Sequence, residues 1–118
     1  MKCVGPTFCG EDLQALREEY AFTPDLDELS TGLAVYGNPT RLRIHALLAR
    51  TNEMCVCDLA EVMDMTVSAV SQHLAKLRAH RLVKFRREAQ TLYYTLTDHP
   101  LNGVMQRAME TARASGPE

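Results

Sequence analysis

The chain predicts a mainly α fold with one small β-hairpin, and three observations carry that expectation. Asp64-Met65 reads as a tight turn between a short apolar helix and a second helix capped by Thr66, whose inward stripe is Val70, Leu74 and Leu77. Directly afterwards, Leu82-Val83-Lys84-Phe85 and Leu92-Tyr93-Tyr94-Thr95-Leu96 form two strand-like runs around a turn at 86–90. Between Thr66 and Arg87 stand six basic side chains, Lys76, Arg78, Arg81, Lys84, Arg86 and Arg87, and no acidic one, in a chain of formal net charge -2. A helix-turn-helix followed by a basic hairpin is a winged helix. A phosphate backbone would meet that local charge, not the whole-chain balance.

The remaining elements follow in order. Residues 1–10, with Cys3, Gly5, Pro6, Cys9 and Gly10, have no periodicity and read as a flexible arm, leaving 11–118 as a winged-helix and dimerisation domain. Leu13, Leu16 and Tyr20, then Leu26, Leu29, Leu33 and Tyr36, recur at helical steps, so two amphipathic helices flank Thr23-Pro24 and Gly37 closes the second. Asn38 is an N-cap with Pro39 at the first helical position, opening a helix that turns Leu42, Ile44, Leu47 and Leu48 inward. A shorter helix runs from about Cys55 to Met63. On the last helix, Leu101, Val104, Met105, Ala108, Met109 and Ala112 make a full apolar face. A 118-residue chain has a modest core, so that face and the N-terminal helices are expected to build a homodimer.

Several classes are excluded by what the chain lacks. The apolar runs are too short for a membrane span or a signal peptide, so a cytoplasmic protein with reduced cysteines is expected. There is no Cys-x-x-Cys, no phosphate-binding glycine loop and no nucleophile with a paired base, which speaks against an enzyme.

If Val70, Leu74 and Leu77 face the core, the other side of the Thr66 helix presents Ser68, Ser71, Gln72, His73 and Lys76. Short hydroxyl and amide side chains of this kind bond base edges and phosphates in a major groove of double-stranded DNA. Arg86, Arg87 and Gln90, at the hairpin tip, would lie along the adjacent backbone or minor groove. A merely solvated helix face is the plainer alternative.

Cys55-Val56-Cys57 carries a different chemistry. Residues two apart on a helix point about 200° apart, so both thiols can meet one ion only at a helix end. With Cys55 as N-cap and Cys57 as second helical residue, both lie beside free N–H groups and the positive end of the helix dipole, which favour the thiolate that binds metal. Cys3 and Cys9 on the arm could complete four sulfur ligands, a set suited to cadmium, lead, zinc or another thiophilic ion. Two alternatives stay open: small buried apolar cysteines, or reversible disulfides between arm and helix. Among the histidines, His45 reads as a packed core residue and His80 as exposed near a helix end, while Asp98 before His99 suggests an N-cap.

From Leu33 to Asp98 the sequence resembles the ArsR/SmtB family of winged-helix metal-sensing repressors. The resemblance is carried by Gly-Asn-Pro-Thr-Arg-Leu-Arg-Ile at 37–44, Met-Cys-Val-Cys-Asp-Leu-Ala at 54–60, Val-Ser-Ala-Val-Ser-Gln-His-Leu-Ala-Lys-Leu at 67–77 and Leu-Val-Lys-Phe-Arg-Arg-Glu at 82–88. Within it, Cys-Val-Cys-Asp-Leu plus arm cysteines is similar to the cadmium- and lead-sensing CadC-like branch. The resemblance implies a homodimer in which Cys3 and Cys9 of one subunit join Cys55 and Cys57 of the other. It also implies that the apo dimer binds operator DNA and is released by the metal; an arsenite or thiol-redox sensor using the same cysteines is the alternative. The family's second site, across C-terminal helices, uses Asp, His, His and Glu. Here Asp98 matches the first ligand, but Pro100, Thr111 and Ala114 stand at the others, so that site is expected to be absent.

Overall fold

The computed structural model describes residues 11–114. In chain order the elements are α1 (Glu11–Tyr20), α2 (Pro24–Tyr36), α3 (Pro39–Thr51), β1 (Met54–Cys55), α4 (Val56–Met63), α5 (Val67–Ala79), β2 (Val83–Glu88), β3 (Thr91–Leu96) and α6 (Pro100–Ala114). Two compact units divide at Ser30–Thr31, inside α2. No helix among the described residues is long and apolar enough to cross a membrane.

In the first unit, α1 and the opening of α2 follow the expected periodicity, yet Leu13, Tyr20, Phe22, Leu26 and Leu29 are exposed.

The second unit holds the core: Ile44 and Leu48 of α3, Leu59 of α4, Val70, Leu74 and Leu77 of α5, then Leu82, Val83 and Leu101 are all nearly sealed from solvent. On α2 the inward residues are Gly32, Val35 and Tyr36, whereas Leu33, expected on the inner stripe, is 44% exposed. A Cβ at Gly32 would come within 2.8 Å of a Leu101 methyl, so α2 meets α6 at a close contact where a larger residue would require the Leu101 side chain to shift.

Local chemistry sets the helix ends. The Asn38 side-chain oxygen accepts from the backbone N–H groups of Thr40 (2.9 Å) and Arg41 (3.1 Å). Asp64 ends α4 in the left-handed conformation (φ 54°), its N–H returning to Ala60 and Glu61. Two residues later Thr66 Oγ1 accepts from Ala69 N at 3.0 Å and starts α5. This is the expected helix-turn-helix, and α4 packs directly on α5. At α6 the cap is His99, not Asp98: Pro100 is the first helical residue, and His99 Nδ1 accepts from Leu101 N at 3.0 Å.

β2 and β3 pair from Val83↔Leu96 to Glu88↔Thr91, so only Ala89 and Gln90 remain in the turn, with Ala89 at φ 56°. A third strand was not expected. β1 pairs Met54↔Tyr94 and Cys55↔Tyr93 on the other edge of β3, giving an antiparallel sheet of order β1-β3-β2. Cys55 therefore ends a strand and the helix begins at Val56.

A buried polar network ties the core together. Asn102 Nδ2 donates to the carbonyls of Leu82 (2.9 Å) and Thr97 (3.0 Å), which fixes its Oδ1 as the acceptor of the Tyr36 hydroxyl at 2.6 Å. The Tyr36 oxygen lies 3.1 Å from His45 Nδ1. Burial lifts the Tyr36 phenol above its ordinary value and pushes His45 below its ordinary 6.5. Because folded His45 binds a proton less readily than the unfolded chain does, stability rises with pH through the region below 6.5 and is full above it. Melting temperature is thus expected to fall as pH is lowered from 6.5 toward 5, and His45→Gln to flatten that slope.

Candidate nucleic-acid interface and thiol site

On α5, burying Val70, Leu74 and Leu77 leaves Ser68, Ser71, Gln72 and Lys76 exposed, as the helical period requires. Thr66 is exposed too, but its oxygen already accepts at the cap. His73 departs from the expected face. Its half-buried ring sets Nδ1 3.1 Å from Arg41 Nη1, and since a guanidinium only donates, that nitrogen is unprotonated. Burial first and the Arg41 charge second hold His73 below its ordinary range, so it adds no positive charge at neutral pH. Arg41 also donates from Nε to the Val35 carbonyl at 2.7 Å, linking the end of α2 to α3. Nothing in the helical periodicity singled out Arg41, whose neighbours Asn38 and Pro39 read only as a cap.

The hairpin corrects two expectations. Arg86 and Arg87 stand on β2 and only Gln90 occupies the turn, because the ladder continues to Glu88↔Thr91. Arg86 is also engaged: it makes a two-pronged ion pair with Glu53 (2.7 and 2.9 Å), a third bond to Glu88 (2.7 Å), and stacks 4.7 Å from the centre of the Tyr93 ring. These partners hold the Glu53 carboxyl below its ordinary range and raise the guanidinium further. Arg87 has no such partner among the described residues and is exposed. Arg78, not assigned to the interface from the sequence, lies 4.5 Å over the Phe85 ring and lines a groove of about 330 Å³ with Arg81, Lys84 and Thr97. Its signal was the unbroken basic run, which gave charge without position. His80, expected to be exposed, is half-buried at the end of α5, with Nδ1 3.0 Å from the Lys76 carbonyl oxygen.

The thiols sit where the helix-end argument put them. Cys55 is the N-cap of α4 (φ -84°, ψ 164°), with no side-chain capping bond, and Cys57 is the second helical residue. Cys55 is half-buried, Cys57 exposed, and both are free thiols. Cys3 and Cys9 lie outside the described residues. Among the described residues no group of three or more His, Cys, Asp or Glu side chains could hold a metal ion.

Comparison with known proteins gives this arrangement a lineage. The family model described as "Bacterial regulatory protein, arsR family" matches residues 38–84, from the cap of α3 to the first residues of β2. A "Transcriptional repressor SmtB homolog" of Synechocystis is 37% identical over 110 residues, covering 93% of this chain and 80% of that protein. The chain belongs to the ArsR family. A second relative, the "Cadmium resistance transcriptional regulatory protein CadC homolog" of Staphylococcus aureus, is 32% identical over 69 residues, 58% of this chain and 57% of that protein. Among solved structures, the homodimeric winged helix-turn-helix DNA-binding domain of a possible ArsR-family transcriptional regulator from Mycobacterium bovis aligns with a TM-score of 0.70. It is 26% identical, with 82% of this chain and 85% of that one covered. The mainly α winged helix-turn-helix expected from the sequence is thus the fold of this ArsR-family chain.

Proposed function

We propose that this ArsR-family protein is a transcriptional repressor that binds operator DNA as a homodimer and leaves it when a thiophilic metal ion, cadmium, lead or zinc, is taken up by cysteines. The observation that carries the reading is the placement of Cys55 and Cys57 at the start of α4, the helix packed against α5 and joined to it by the three residues Asp64, Met65 and Thr66. A change at the α4 N-terminus has a short mechanical path to Ser68, Ser71, Gln72 and Lys76. The similarity to an SmtB homolog and to a cadmium-resistance regulator supports the same reading.

In the DNA-bound form α5 would enter the major groove, with Ser68, Ser71 and Gln72 on base edges and Lys76 on phosphate. Two such helices must be spaced by about one helical turn of DNA, roughly 34 Å, so a dimer is required. The exposed apolar residues of α1 and α2 and the exposed Val104 and Ala108 of α6 are surfaces such a dimer would use. Cys55 and Cys57 fit a soft cation by donor type and by their shared helix end, and Cys3 and Cys9 would complete the set. A bound ion would supply the cross-link that draws the arm onto α4, tilting the paired α5 helices out of register with successive grooves.

The test is binding of the reduced protein to a labelled duplex from upstream of its own gene, across a salt series. Gln72→Ala is expected to weaken specific binding by about 5- to 150-fold, the range of one base contact of about 1–3 kcal/mol. Arg87→Ala is expected to lower the slope of log affinity against log salt by about 1, as one lost phosphate contact does. Arg86→Ala should leave that slope unchanged, because its guanidinium is already committed to Glu53 and Glu88. Equal affinity for any duplex, unaltered by Gln72→Ala, would refute the operator-binding reading.

A further inference from the structure

Between α3 and α6 lies a cavity of about 140 Å³, walled by His45, Arg50, Gln106, Met109, Glu110 and Arg113. His45 is one of its lining residues, and its Nε2 is buried with no hydrogen-bond partner among the described residues. A proton count fixes what that atom is. Asn102 Oδ1 can only accept, so the Tyr36 hydroxyl spends its proton there; the Tyr36 oxygen then receives the His45 Nδ1 proton. Burial keeps the ring neutral, which leaves Nε2 as a bare lone pair. An acceptor sealed without a donor is costly, and none of the described residues supplies one.

The rest of the wall sets the partner's charge. Arg50 and Arg113 bring two guanidiniums, Glu110 one carboxylate and Gln106 an amide, a net positive rim above an acceptor. Among the described residues neither arginine is in an ion pair. A cation is disfavoured by the two guanidiniums, and no cluster of metal-ligating residues stands here.

We propose that this cavity is a binding site for a small anion bearing one O–H donor, such as a hydroxycarboxylate or hydrogen phosphate. Its anionic oxygens pair with Arg50 and Arg113, and its hydroxyl donates to His45 Nε2 once the long rim side chains part. The site shares no residue with Cys55 or Cys57 and does not depend on them. It is wired to the wing: the His45–Tyr36–Asn102 chain ends on the carbonyls of Leu82, just before β2, and Thr97, just after β3. An occupant would therefore bear on the hairpin from both of its roots.

The experiment is nitrogen-15 NMR of the His45 imidazole in the full chain, metal-free and reduced, titrated with lactate, inorganic phosphate or acetate. Lactate or phosphate is expected to shift the Nε2 resonance saturably at millimolar concentration, and which of them acts identifies the class of anion. Acetate, which has no hydroxyl, is expected to leave it in place. Arg50→Gln and Arg113→Gln, both at the rim and away from the buried network, are each expected to weaken binding by about 5-fold or more, the loss of a charge-assisted contact. No shift with lactate or phosphate, an equal shift with acetate, or parent-like affinity in both arginine variants would overturn the proposal.

Discussion

Replacing both Cys55 and Cys57 with serine is expected to lower cadmium affinity by about 1000-fold or more, about 4 kcal/mol at 1.4 kcal/mol per decade. Serine keeps the size and the helix-cap position but offers a hard, protonated oxygen in place of a soft thiolate. Cys55 has no side-chain capping bond to lose, and Cys57 is exposed, so folding should be little changed. Serine is a better N-cap than cysteine and could even firm the start of α4. The check is the ultraviolet sulfur-to-cadmium absorption on titration, with melting temperature as the folding control. A retained absorption of parent strength in the double variant would place the metal elsewhere. Because each thiol must lose its proton to bind, the parent's cadmium affinity is also expected to fall as pH is lowered.

Asn102→Leu is expected to cost about 3 kcal/mol of stability, roughly a 10 °C drop in melting temperature for a domain of this size. The substitution keeps the branching and the heavy-atom count but removes the acceptor of the buried Tyr36 hydroxyl and the side-chain donor that the Thr97 carbonyl accepts from. The Leu82 carbonyl is spared, since it also accepts from Thr97 N at 3.2 Å. The substitution unties α6 from α2, through Tyr36, and from the two roots of the hairpin, while the Tyr36–His45 contact remains. Thermal unfolding measures the cost, and a change below about 1 kcal/mol would mean the network is relaxed by water or by repacking.

Much of this architecture is legible in the sequence because its determinants are local. Asn38-Pro39 and Thr66 act within four residues of themselves, and the strand runs declare themselves by β-branched and aromatic content. The helix-end placement of Cys55 and Cys57 is likewise a matter of helical angle alone. What escaped depends on partners distant in sequence. β1 is two residues long, too short to alternate, and exists because β3 offers an edge. Arg86 looked free because Glu53 lies 33 residues away, and His73 looked exposed because Arg41 is 32 residues away. Asn102 was invisible as a hub: on an apolar helix face, a lone amide reads as an interruption until its acceptors are known. The inner stripe of α2 shifted for a similar reason, since close approach at Gly32 turns Val35 and Tyr36 inward and leaves Leu33 outside.

The account's central claim is that thiol occupancy and DNA affinity are coupled, and coupling of this kind is reciprocal. It is tested most directly by fluorescence anisotropy of a labelled duplex from the gene's own upstream region, bound by the reduced protein and titrated with cadmium. The predicted result is release, with DNA affinity reduced by about 5- to 150-fold at saturation and DNA weakening cadmium binding by the same factor. Undiminished anisotropy with Cys55 and Cys57 saturated by cadmium would contradict it.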